Sequence, residues 1–129
     1  MALDDLAKLV RLSDPQVAPS GREIAFLAAR PNYETNRWET ELVVAELPGG
    51  AQRVLVTGRS GLSRPRWGPA GDRLAFLADV DGRAQVHVIA RDGGEARAVT
   101  RAPEGVRQFA WRPDGTAIAY IARDTVPAP

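Results

Sequence analysis

The side chains that could do chemistry in this chain are few, and their spacing argues against most reactions. His87 is the only histidine, in the middle of an apolar run from Gln85 to Arg91. A hydrolytic triad needs a histidine beside a hydroxyl nucleophile and an acid. A metal centre needs more nitrogen, sulfur or carboxylate ligands than one histidine supplies. His87 therefore reads as a strand residue with a satisfied ring nitrogen. The chain has no cysteine, which excludes disulfides, thiolate metal sites and a cysteine nucleophile. A serine raised on a strand-to-helix turn reads Gly-x-Ser-x-Gly. The nearest approach, Gly58-Arg59-Ser60-Gly61-Leu62, lacks the last glycine. Asp79-Val80-Asp81-Gly82 has the opening spacing of a calcium loop, but the residues after Gly82 do not complete it. Asp79, Asp81 and Asp92 read instead as turn residues that cap backbone N–H groups. The Gly pairs form neither a dinucleotide fingerprint nor a phosphate loop. No catalytic residue, cofactor or metal is expected.

Binding surfaces are the remaining option. Residues 30–40 read as a polar loop carrying two aromatics, and loops on rigid scaffolds often carry function. Tyr33, Arg37 and Trp38 are the candidate interaction residues, and the structural alternative is that Trp38 covers a sheet edge. Net charge is +1, with sixteen Arg and one Lys spread along the chain, so no field recruits nucleic acid or an anionic membrane. The N-terminus reads Met1-Ala2-Leu3-Asp4-Asp5-Leu6, acidic where a signal peptide is basic, and no stretch has the ~18 apolar residues of a membrane span. The expectation is a cytoplasmic protein with neither nucleic-acid nor membrane partners.

The elements that position these residues come from a phrase written three times. Val17-Ala18-Pro19-Ser20-Gly21, Trp67-Gly68-Pro69-Ala70-Gly71 and Trp111-Arg112-Pro113-Asp114-Gly115 are each followed by an apolar run ending in Ala. The prolines at 19, 69 and 113 give periods of 50 and 44 residues, in the range of propeller blades. In each copy Pro fixes one turn position and Gly permits positive φ. Trp67 and Trp111 hold equivalent places, so they read as core rather than as a ligand box.

Within the first copy the spacing predicts strands at 14–18, 23–29, 41–47 and 52–57, with Pro48-Gly49-Gly50 as a hairpin turn. Ile24, Phe26 and Ala28 alternate with Ala25, Leu27 and Ala29, so both faces of that strand should be covered. The second copy predicts the same parts, with Asp79–Arg83 and Asp92-Gly93-Gly94 as turns, 85–91 as its third strand and 96–100 as its fourth. The third copy has two strands, 107–111 and 116–122. Leu3, Leu6, Leu9 and Val10 recur at helical spacing, so residues 3–12 are expected to be a helix stopped before Pro15. The expected fold is all-β. It is a partial β-propeller of about two and a half four-stranded antiparallel blades after a short N-terminal helix. The boundaries are 1–13 for the helix, 14–57 for blade one, 58–100 for blade two, 101–124 for half of blade three and 125–129 for a tail. Closed propellers have about 4–8 blades, so further blades, or self-association through open blade edges, are expected as partners.

The Trp-x-Pro-x-Gly phrase with its Ile-Ala-Phe-like strands resembles the propeller repeat of TolB-type proteins and of the prolyl oligopeptidase family. The opening Asp5-Leu6 and the run Val10-Arg11-Leu12-Ser13-Asp14-Pro15-Gln16-Val17-Ala18-Pro19-Ser20-Gly21 are similar to the start of acylaminoacyl-peptidase-like members of that family. The likeness covers residues 4–124. It implies a non-catalytic propeller that gates peptide access to an α/β-hydrolase domain, where a Ser-Asp-His triad would reside. That domain is the partner the resemblance implies, and none of its catalytic residues maps onto this chain. A free-standing TolB-like module for protein–protein interaction is the alternative.

Overall fold

The structure is a computed structural model that describes residues 10–123. It contains ten strands: β1 (Arg11–Val17), β2 (Glu23–Asn32), β3 (Arg37–Glu46), β4 (Gln52–Val56), β5 (Ser63–Trp67), β6 (Arg73–Val80), β7 (Arg83–Ala90), β8 (Arg97–Ala98), β9 (Val106–Trp111) and β10 (Ile118–Ala122). They form three antiparallel sheets in chain order. Sheet one is β1-β2-β3-β4, sheet two is β5-β6-β7-β8, and sheet three is the pair β9-β10. Sheet two lies between the others. Leu74, Phe76, Ala78 and Ile89 on one of its faces pack with Ala25, Leu27, Leu42 and Val44 of sheet one. Ala75, Leu77 and Val86 on its other face pack with Val106, Phe109, Trp111 and Ile118 of sheet three. The period of two that separates these sets is the strand alternation, so β6 buries both faces.

The three Pro-x-Gly turns are superimposable in their bonding. Ala18, Gly68 and Arg112 each donate N–H to the carbonyl five residues on (Glu23, Arg73 and Ala117), all at 2.8 Å. Gly21, Gly71 and Gly115 close the turns with φ of 74°, 74° and 75°, a left-handed conformation that suits glycine. The turns also stack from sheet to sheet. A Cβ on Gly71 would lie 3.6 Å from Cδ of Pro19, and one on Gly115 would lie 3.5 Å from Cδ of Pro69. The Pro19 and Pro69 rings therefore rest on the glycine of the next turn.

The tryptophans complete the stacking. The Trp67 indole N–H donates to the carbonyl of Gln16 at 2.8 Å, and that of Trp111 donates to the carbonyl of Arg66 at 3.1 Å. Gln16 and Arg66 occupy equivalent places, one residue before Val17 and Trp67. Each indole thus bonds the inner strand of the preceding sheet while its ring packs between the two sheets. The Arg73 guanidinium lies 4.9 Å from the centre of the Trp111 ring and donates to the Gly115 carbonyl at 2.9 Å.

Several expectations from the sequence are corrected. The helix expected at 3–12 falls largely on residues 1–9, outside the described residues. Its last two positions, Arg11 and Leu12, are strand, paired with Ala29 and Ala28, and no helix occurs among the described residues. The ladder to β2 outweighs the local helical spacing there. The strand continues through Pro15 because β1 is an edge, where proline forfeits no ladder bond, and a bulge between Ser13 and Gln16 absorbs it. Residues 30–40 are not a loop. Only residues 33–36 turn; Arg30–Asn32 extend β2, and Arg37–Thr40 extend β3. The difference in period between the first two copies is this longer hairpin, with two extra residues in each strand and two in the turn. In sheet two the turn shrinks to Asp81-Gly82, at φ of 52° and 78°. The fourth strand expected at 96–100 is ladder-paired only at Arg97–Ala98, because the Thr100 hydroxyl takes the Val86 N–H that a carbonyl would otherwise accept. In the third copy the ladder begins at Ile118 rather than at residue 116.

Trp67→Phe and Trp111→Phe keep most of the packing and remove one inter-sheet hydrogen bond each. Each should cost about 1 kcal/mol in urea unfolding. Gly71→Ala should cost a similar ~1–2 kcal/mol, from its positive φ and not from the ordinary contact with Pro19.

Candidate functional site

The candidate residues Tyr33, Arg37 and Trp38 sit on the extended β2–β3 hairpin. Asn32 builds its turn: Oδ1 accepts from the N–H groups of Glu34 and Thr35 at 3.0 and 3.3 Å, and Nδ2 donates to Glu39 at 2.9 Å. Asn36 takes the left-handed position, φ 56°. Tyr33 at the tip is 75% exposed. Arg37 and Trp38 are successive residues of β3, so they point to opposite faces. The structure does not gather the three into one patch. Trp38 shares the face of Arg11, whose guanidinium lies 4.2 Å from its ring centre. Arg11 was not a candidate from sequence, because it lay within the stretch read as helix. Its partnership with Trp38 depends on the β1–β2–β3 order.

Two buried polar hubs hold the sheets and links in place. Glu23 points into the junction of sheets one and two. Its Oε2 accepts from both terminal nitrogens of Arg53 at 3.2 Å, and its Oε1 lies 3.4 Å from Nε of Arg91. Arg53 also donates to the Arg91 carbonyl through Nη2 at 2.6 Å. One carboxylate thus joins β4 to the turn after β7. In sheet two, Gln85 donates to the Ala102 carbonyl at 2.8 Å and accepts from Thr100 Oγ1 and the Ala102 N–H at 2.7 and 2.9 Å. It fixes the link into β9.

His87 is 1% exposed and faces sheet one. Its ring stacks on Phe76 at 5.3 Å with planes 9° apart, and Nδ1 lies 3.0 Å from the Gln85 carbonyl. Burial pushes its pKa down. The bond to Gln85 opposes that shift, and the positive charge of Arg59 adds to it. A neutral, stacked histidine of this kind is a packing residue. Ser60 lies on the link between β4 and β5, where its carbonyl accepts the Asp79 N–H at 2.9 Å and the neighbouring Gly61 packs on the Asp79 carboxylate. Among the described residues no group of three or more His, Asp or Glu side chains could hold a metal ion. The arrangement offers binding surfaces and a rigid stack.

No model of a protein family matches the chain. An uncharacterized peptidase, YuxL, of Bacillus subtilis is 35% identical over 116 residues, which are 89% of this chain and 18% of that protein. Dipeptidyl-peptidase 5 of Porphyromonas endodontalis is 28% identical over 98% of this chain and 18% of its own length. The β-propeller domain of the Trilobed protease from Pyrococcus furiosus superposes with a TM-score of 0.73 at 22% identity, covering 88% of this chain and 34% of that one. This chain is a propeller segment. It is similar to acylaminoacyl peptidase from Pyrococcus horikoshii as well, at TM-score 0.69 and 24% identity, over 90% of this chain and 18% of that chain. The structure of a putative TolB from Agrobacterium tumefaciens matches at TM-score 0.67 and 17% identity, over 83% of this chain and 36% of that one. The propeller segment thus spans less than a fifth of the first two peptidases.

Glu23→Gln should destabilise the segment by about 1–2 kcal/mol, below the cost of a fully buried pair because both arginines are partly exposed. The effect should vanish in an Arg53→Gln, Arg91→Gln background in a double-mutant cycle. His87 predicts a pH dependence. Its folded pKa lies below the ordinary value of about 6.5, so the unfolded chain takes up the proton first. Its contribution is complete above that pH and declines as pH falls through 6.5 toward the lowered folded value. Urea unfolding at pH 7.5 and 5.5 should show this loss in the native protein, with a smaller loss in His87→Phe.

Proposed function

We propose that the segment is a non-catalytic part of a serine peptidase related to the acylaminoacyl-peptidase and prolyl-oligopeptidase group. Its two and a half blades belong to a propeller that governs which peptides reach a separate α/β-hydrolase domain. The observation that carries this reading is the match of nearly the whole chain to a small part of known peptidases. The chemistry of the buried groups agrees with it. The one histidine is buried and stacked, and the side chains that join the sheets are all engaged in structural bonds. Peptides meet this chain only as passengers toward the hydrolase domain, and the exposed hairpin with Tyr33, Arg37 and Trp38 is a surface for contact with the neighbouring domain.

A second reading is a free-standing interaction module. The likeness to the TolB structure supports it, since the fold is common to both kinds of protein. The two readings differ in their partners. A stable complex with a protein that lacks a hydrolase domain favours the module, and one with an α/β-hydrolase favours the gate.

Acyl-peptide and aminoacyl chromogenic substrates test the non-catalytic part directly. The purified chain should give no turnover above background. Turnover that co-purifies with the chain and is abolished by a serine-reactive inhibitor would sink the reading.

A further inference from the structure

We propose that the wall formed by the inner strands β1, β5 and β9 is a carboxylate-binding surface, on which Arg64 and Arg107 receive a carboxylate of a peptide. The choice of a peptide as ligand rests on the peptidase reading above; the charge of the wall does not.

Charge is unevenly placed on these strands. They carry Arg11, Arg64, Arg66 and Arg107 against a single carboxylate, Asp14, whereas the whole chain has a net charge of +1. Each is the first strand of its sheet, with one edge unpaired among the described residues. The bonds from Trp67 to Gln16 and from Trp111 to Arg66 hold the three strands side by side. Sheet two has a sheet on either side, so the place of Arg64 on β5 is set from within the stack. Strand addition is discouraged on this wall, since β1 and β5 each carry a proline and a bulge. Recognition there falls to side chains.

The wall already holds one carboxylate, its own. Oδ1 of Asp14 accepts from Nη1 of Arg66 at 3.1 Å and from Nε2 of Gln16 at 3.0 Å. Asp14 is a left-handed residue before a proline, with φ 51°, and Arg64 is its equivalent in sheet two, with φ 52°. Aspartate adopts that conformation more readily than arginine does. Asp14 has an internal task, the inter-sheet ion pair with Arg66. Arg64 is exposed, and the place from which a third-sheet side chain would reach it is taken by Ala110. Arg107 stands on β9 at the place of Ser63, one residue before the place of Arg64, and is exposed as well. Among the described residues neither arginine has a salt bridge. An arginine held in unfavourable backbone with no internal partner is the kind of outlier that points to a ligand.

The chemistry of the ligand follows from these groups. Guanidinium and carboxylate match in charge and in planar shape, and the bonds between them are charge-assisted. Arg66 and Gln16 show the arrangement within the wall, two donors from neighbouring inner-strand positions on one carboxylate oxygen. A peptide offers such a group at its C-terminus or on an acidic side chain. Nucleic acid is a poorer occupant, because it is held by neutralising many phosphates and this chain has a net charge of only +1.

The probes are rhodamine-labelled alanine hexapeptides: a free acid, a C-terminal amide, and an amide with a central glutamate. In fluorescence anisotropy the plain amide should bind about fivefold more weakly than one or both carboxylate peptides, which tells the terminus from the side chain as the source. Binding should also weaken as salt rises. Arg64→Asn should weaken carboxylate binding about threefold, with urea stability unchanged or higher, because asparagine suits the left-handed φ; an arginine kept for structure alone would lower stability and leave binding as it was. Arg107→Gln is an independent variant with a similar loss of about threefold. No saturable binding, equal binding of the plain amide, or unchanged binding in both variants overturns the proposal. So does tighter binding of a labelled oligothymidine than of either carboxylate peptide. Failure here leaves the absence of turnover standing, and turnover would leave the binding standing, so the two readings fail separately.

Discussion

The structure depends on how one sheet registers on the next. A sheet face is apolar and nearly featureless, and hydrophobic burial alone does not say where a neighbour should stop sliding. Here two directional contacts set the position. An indole N–H from each following sheet finds the carbonyl one residue before the equivalent place in the preceding inner strand. The proline rings of the first two turns rest on the glycine of the turn that follows. The bonds are modest in energy, but they lie at the same end of successive sheets. Together they convert non-specific stacking into a repeat with a defined offset.

That registration explains why the remaining polar groups are placed as they are. Once sheets one and two are aligned, the Glu23 carboxylate reaches arginines from both, one on β4 and one beyond β7. In the next repeat the same place is taken by Arg73, which reaches forward to the Gly115 carbonyl and covers the Trp111 ring. The two repeats use opposite charges for one task, which is to tie a sheet to the turns of its successor. His87 belongs to the same layer. It occupies the third strand where sheet one has Val43, and it substitutes a stacked, neutral ring for an aliphatic contact. These groups are chemically active types in general, and their burial and engagement here turn them into fasteners.

For function, the consequence is a stack of sheets whose buried polar groups are structural, with its exposed features at its edges. The peptidase relatives are several times longer than this segment, and their likeness to it lies in the repeat that builds the stack. Among the described residues, β10 ends sheet three with Tyr120 46% exposed. The extended β2–β3 hairpin marks a second outward feature, stiffened by Asn32 and by the Arg11–Trp38 contact.

The three turns, the strands that follow them and the repeat equivalence of Trp67 with Trp111 were legible in the residues alone. Proline and glycine act locally, and strand alternation leaves a period of two in the order of residues. The fate of residues 11–12 and 30–40 was not. Polar strand extensions at a hairpin tip carry no apolar alternation, and only the facing strand makes them ladder. The partners of Glu23, Trp67, Trp111 and Arg11 lie about thirty to seventy residues away. Composition and spacing determined that this chain would fold as repeated antiparallel sheets. Which polar atom meets which across them was decided by tertiary stacking, because those bonds exist only after apolar burial has brought separate sheets to one offset.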